Sequence, residues 1–152
     1  MIPGRLHGDR GQVAGIEAIP FGLLVLTVGI LVVAHTWAVV DAKFVATAAS
    51  REATRAYVEA PDAASADRAA AGAAGAVVEQ SGRDPSTLRL TRSTDSFRRC
   101  APTRYAAVLE VPTVAVPWRG DRPSRAVRAQ HTEVVDPYRS GLPGLAACAV
   151  EP

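Results

Sequence analysis

Apolar residues are spread unevenly along this chain. Between residues 18 and 40 there is no Asp, Glu, Lys or Arg, and about 13 positions are Leu, Ile, Val or Phe. At ~1.5 Å rise per residue, about 23 residues make a helix of ~35 Å, enough to cross the ~30 Å hydrocarbon core of a bilayer. Each of these large apolar residues favours insertion by roughly 0.3–0.6 kcal/mol, which outweighs the penalties of Pro20, Thr27, His35 and Thr36. The pattern predicts a transmembrane helix over 18–40. Two other readings compete with it. A secretory signal has a shorter apolar run, about 7–15 residues, and the best small-residue cleavage site here, Ala46-Thr47-Ala48, lies well beyond the run. A buried core helix is disfavoured by the unbroken length.

Helical patterning continues past the span over 41–59, with neither Gly nor Pro. Phe44, Val45, Ala48, Ala49, Ala53, Ala56 and Tyr57 recur at spacings of three and four and form one expected inward face. Pro61 stops this stalk, because proline disfavours helix at the residue before it and has no backbone N–H to donate. Asp62 then caps a second helix that runs to Gln80 and ends at Ser81-Gly82. Its inward face, Ala66, Ala69, Ala70, Ala73, Ala74, Val77 and Val78, is made of small residues that bury little area each. The competing reading of this alanine-rich stretch is a low-complexity linker.

After Asp84-Pro85 the period changes from helical to alternating. Leu88 and Leu90 alternate with Arg89 and Thr91, then Tyr105, Ala107, Leu109 and Val111 alternate around Glu110, and Val114 and Val116 precede Pro117. A turn at 120–123 leads to a strand over 125–135, and the segment 136–152, with two prolines before its last residue and two glycines, reads as loop. The expected fold class is α+β: a long N-terminal membrane helix continuing into a stalk, a second Ala-rich helix, and a small antiparallel sheet of about three to four strands. The organisation is a leader over 1–17, a transmembrane helix over 18–40, a helical stalk over 41–60 and an α+β domain over 61–152.

Composition narrows the function classes. The 152 residues accommodate a membrane helix and a domain of roughly 100 residues, and leave no room for a second enzyme-sized domain. A net charge of +2 with acids interspersed among the arginines, and only 5% aromatics, argue against a nucleic-acid partner. Arg5 and Arg10 precede the span while Lys43, Arg51 and Arg55 follow it, so the Lys/Arg bias selects no orientation. Cys100 and Cys148 are the only cysteines. In an oxidising compartment they close a loop of about 48 residues worth on the order of 4 kcal/mol, which places the domain outside the cytoplasm; the alternative is two unrelated buried thiols.

Residues for catalysis are sparse. His7, His35 and His131 lie far apart, and no spacing matches a zinc site, a phosphate loop or a nucleophile elbow. No catalytic, metal or cofactor residues are expected, no small-molecule substrate is implied, and His131 reads as an exposed strand residue.

The informative constellation is Asp9-Arg10-Gly11-Gln12-Val13-Ala14-Gly15-Ile16-Glu17, then the apolar helix, then Ala48-Ala49-Ser50-Arg51-Glu52-Ala53-Thr54-Arg55-Ala56. This order resembles the TadE/TadG-like pilus-assembly proteins of tight-adherence (Flp-type) secretion systems, pseudopilin-like chains with a basic leader, a glycine, a glutamate at the start of an apolar helix and a small extracellular α+β domain. The resemblance covers about the first 60 residues. It implies that a prepilin peptidase cuts after Gly11, freeing Gln12, and that Glu17 is the assembly glutamate, partnered by the N-terminal amine of a neighbouring subunit. Glu17 falls sixth after Gly11, where the family pattern has the fifth position. The alternative is an interfacial Glu17 that only caps the membrane helix, since a carboxylate within lipid is expensive. The implied protein is a single-pass inner-membrane subunit with its N-terminus cytoplasmic, structural rather than catalytic, with the bilayer and other pilin-like or pilus-assembly proteins as partners. The other reading is a membrane-tethered extracytoplasmic domain that binds a ligand or wall component.

Overall fold

In the computed structural model the described residues are 14–93, 96–112, 124–145 and 148. Gly11 and Gln12, Val114 and Val116, and the turn expected at 120–123 lie outside them. The elements are α1 (Ala14–Glu59), α2 (Ala63–Gln80), a short 3-10 turn (Pro85–Thr87), and strands β1 (Leu88–Arg92), β2 (Pro102–Pro112) and β3 (Ser124–Val134). The chain divides into two compact units, residues 1–37 and 38–152.

Within the first unit, described side chains from Ala18 onward leave the apolar face of α1 uncovered: none of its most hydropathic window is buried. The hydroxyls on this stretch turn back onto their own helix, Thr27 to the Leu23 carbonyl and Thr36 to the Val32 carbonyl, each at 2.8 Å. That satisfies two polar groups without water, as a helix in hydrocarbon requires. Pro20 lies inside α1, in its second turn, where the missing N–H removes one helical bond.

In the second unit the remainder of α1 and all of α2 lie against one face of a three-stranded antiparallel sheet, order β1-β2-β3. α1 ends at Glu59 and Asp62 caps α2, its carboxylate accepting the Ser65 N–H at 2.9 Å. Gly82 takes a left-handed conformation (φ 74°) after α2, so that the Arg83 N–H returns to the Val78 carbonyl. Arg83 also bonds Asp41 at 2.7 Å, which brings the end of α2 back to the start of the domain part of α1. The two helices therefore run antiparallel. β2 is central, pairing Leu109 with Leu88 on one side and Val127 on the other.

Alternation along β2 sends Tyr105, Ala107 and Leu109 into the core with Val45, Ala49, Ala53 and Tyr57 of α1 and Ala66, Ala70, Ala74 and Val78 of α2. Leu109 is fully buried, and burying such a side chain is worth about 1.5–3 kcal/mol. The expected face of α2 is the observed one, and the sheet has three strands among the described residues, the low end of the expected range. The stalk face differs. Phe44 is 71% exposed and Ala48 is also exposed, while Ala42, Ala46, Ser50, Thr54 and Ala60 are buried. The buried stripe is one of small residues, because the sheet lies close to it. Thr54 and Ser50 tolerate burial by donating to the carbonyls of Ser50 and Thr47. His131 is half-buried rather than exposed and holds Glu133 at 3.1 Å.

Candidate functional site

The sites expected from the sequence fall in separate places. Glu17 lies in the first turn of α1, where the unpaired N–H groups and the helix dipole favour a carboxylate by about 0.3–1 kcal/mol. Cys100 and Cys148 form a disulfide across a Cα–Cα distance of 5.3 Å. Cys100 sits in the left-handed region (φ 62°), rare for a side-chain-bearing residue. Its N–H donates to the Val135 carbonyl and the Val135 N–H to the Ala101 carbonyl, so the bridge starts from a pinned corner at the end of β3.

That bridge lies beside a segment over 136–145 whose attachments the sequence did not announce. The Arg139 guanidinium donates to the carbonyls of Val58 and Glu59, at the end of α1 where carbonyls have no partner within the helix, and of Ala60 just beyond it. Arg99 donates to the carbonyls of Arg139 and Gly144, at 2.9 and 3.2 Å. Gly144 is needed there: its φ is 112°, and a Cβ would lie 3.3 Å from that of Arg99.

A polar cluster joins four elements at the same end of the domain. Asp67 of α2 accepts the Tyr105 hydroxyl at 2.6 Å and the Arg92 Nε at 2.9 Å on one oxygen, and Arg92 again at 3.1 Å on the other. Arg92 also reaches the Tyr57 hydroxyl at 3.1 Å and stacks over its ring, whose edge meets Phe97 and Tyr105. Burial, and then the hydrogen bond and charge of Asp67, push the Tyr105 phenol well above its ordinary range. The carboxylate is occupied by these donors, and the cluster acts as a structural pin between the helices and the sheet. Among the described residues no three His, Cys, Asp or Glu side chains gather as a metal site.

Beside the middle of β3 a groove of about 430 Å³ is lined by Lys43, Thr47, Arg128, Ala129 and Gln130. Lys43 Nζ donates to the Arg128 carbonyl, tying α1 to the outer strand β3. The only signal for this in the sequence is a lysine just beyond the apolar run.

No family model, no curated protein and no solved structure matches this chain.

Proposed function

We propose that this chain is a membrane-anchored, non-enzymatic subunit of a tight-adherence type pilus or secretion system, a minor pseudopilin or assembly component. The observation that carries the reading is the division of α1. One uninterrupted helix presents a wholly uncovered apolar surface in its first half and supplies the core of an α+β domain with its second half. A helix that is apolar all round and unburied by its own chain belongs in lipid or against other such helices. Glu17, in the first turn, is the acid that a pilin-like assembly pairs with the amine of the next subunit, and the order Gly11, Gln12, Glu17 supports it. The disulfide supports an oxidising, extracytoplasmic location for the domain, with the N-terminus in the cytoplasm of the inner membrane.

The test is intact mass with N-terminal sequencing of the protein from membranes of cells that carry the native prepilin peptidase. A new N-terminus at Gln12 is expected. An uncut chain in the membrane would remove the pseudopilin assignment and leave a tethered extracytoplasmic domain. Full-length chain recovered in the cytoplasm, or a cut near Ala49, would remove the membrane reading altogether.

A further inference from the structure

β3 is an outer strand of the sheet, and it is long: 11 residues, against 5 in β1 at the other edge. At ~3.3 Å per residue it offers ~36 Å of edge. Which of its backbone groups turn outward follows from the pairing. The Ser93 N–H donates to the Arg104 carbonyl, so the Arg104 backbone faces β1, and that of Tyr105, one residue on, faces β3 opposite His131. His131 therefore turns its N–H and C=O to β2, while Ala126, Arg128, Gln130 and Thr132 turn theirs away from the sheet. Among the described residues only the Arg128 carbonyl has an outward partner, the Lys43 ammonium. Such a row of free N–H and C=O groups is matched by one kind of ligand, the backbone of another extended segment.

Charge restricts which segment fits. Lys43 and Thr47, four residues apart and so on one flank of α1, bound the groove beside Arg128, Ala129 and Gln130. The exposed Arg128 side chain alternates with the buried Val127 and Ala129, so it points to the face of the sheet away from α1. A segment laid along β3 therefore meets a cation on each face. Lys43, Arg125 and Arg128 enter no ion pair among the described residues. Glu110, opposite Ala126, is held by Arg89 at 3.7 Å, and Asp41 by Arg83 at 2.7 Å. Opposite charges across a strand pair are favourable and like charges unfavourable. A second copy of β3 fits poorly, because it brings Arg125 and Arg128 with Glu133 alone, and His131 holds that carboxylate at 3.1 Å.

We propose that the outer edge of β3 is a docking site for an acidic extended peptide of a partner protein, which adds a strand to the sheet. The Arg128 carbonyl exchanges the Lys43 ammonium for a peptide N–H. The released ammonium then meets a carboxylate on the helix side, and Arg128 meets one on the other face. Lys43 is the gate: without a partner it occupies the edge and keeps neutral and basic strands from pairing there. The proposal concerns the domain from residue 38 onward and is independent of the reading of 18–40 as a membrane span.

The test uses the full-length protein in detergent and a fluorescein-labelled peptide that repeats Thr-Glu-Glu-Val, read by fluorescence anisotropy and by amide hydrogen exchange. The acidic peptide is expected to bind and to slow exchange at the Arg128 and Gln130 amides, and the same peptide with Lys for Glu to do neither. N-methylation at every second residue should abolish binding in one phase and spare it in the other, since only alternate N–H groups face β3. Arg128→Gln should weaken the acidic peptide about two- to fivefold, and Arg68→Gln, on α2, should leave it unchanged. Lys43→Met should bind the neutral peptide, with Gln for Glu, more tightly than wild type does. Arg128→Gln keeps the Lys43 tether, which uses the backbone oxygen, and stays informative if Lys43→Met unfolds. Equal binding of acidic and basic peptides, equal binding of both methylated phases, or unchanged affinity in Arg128→Gln would overturn the proposal. Wild-type dimers that protect the same amides would overturn it in favour of a second copy.

Discussion

The two halves of α1 invert the usual relation between side-chain size and burial. From Ile19 to Trp37 the helix carries large aliphatic and aromatic residues, and they are bare; from Ala42 to Thr54 its buried stripe is mainly small, with Ala42, Ala46, Ala49, Ser50, Ala53 and Thr54. In water the first half would be the stronger candidate for a core, since burial energy follows apolar area. Its bareness fits a helix long and apolar enough to cross a membrane. The second half faces water on one side and a sheet on the other, so its inward stripe is shaped by how near β2 and β3 lie. Small residues suit that distance, and the large-residue contribution comes from Tyr57, Val78 and Leu109.

The largest expected effect breaks the first half. Two arginines at the centre of the span, Val28→Arg with Val32→Arg, add roughly 5–7 kcal/mol against insertion, comparable with the ~4–8 kcal/mol that the apolar residues supply. The protein should leave the carbonate-resistant membrane fraction; retention there would show that the uncovered helix is held by something other than lipid. A smaller effect separates the halves by the same chemistry. Leu109→Ala should destabilise the domain by about 2–5 kcal/mol in denaturant unfolding, whereas Leu24→Ala, a deletion of the same size on the bare half, should stay within ~0.5 kcal/mol. Equal losses would mean that residues 18–37 belong to the same cooperative core. The smallest effect tests the pin at Tyr105. Its folded pKa is raised above the ordinary 10.0, so the stability it contributes is complete below pH 10 and declines as the pH rises toward the folded value. The urea midpoint should fall above pH 10 in wild type and fall less in Tyr105→Phe; an identical decline would place the linkage elsewhere.

Much of the fold was legible because its signals are local. The Asp62 cap lies three residues from the N–H it satisfies, Pro61 ends the helix before it, and Leu88, Leu90 and the odd positions of β2 display their faces through a period of two. The disulfide was legible as a pair, since no other cysteines compete. The inward face of α1 was not: periodicity allowed Phe44 as readily as Ser50, and only the placement of β2 and β3 against the helix decided between them. The same holds for Arg139 on the last carbonyls of α1, for Arg92 and Tyr105 on Asp67, and for Lys43 on β3. These partners lie 25 to 85 residues apart in sequence.

The sequence by itself determined that one helix among the described residues is long and apolar enough to cross a bilayer, where that helix ends, where the next begins and ends, and that a small antiparallel sheet follows; α1 starts at Ala14, four residues before the expected 18. Each of these depends on neighbours within a few residues, where propensity and spacing act directly. Tertiary structure alone decided which polar groups meet, because a cross-sheet or loop contact exists only once strand register and helix placement have brought distant residues into hydrogen-bonding range.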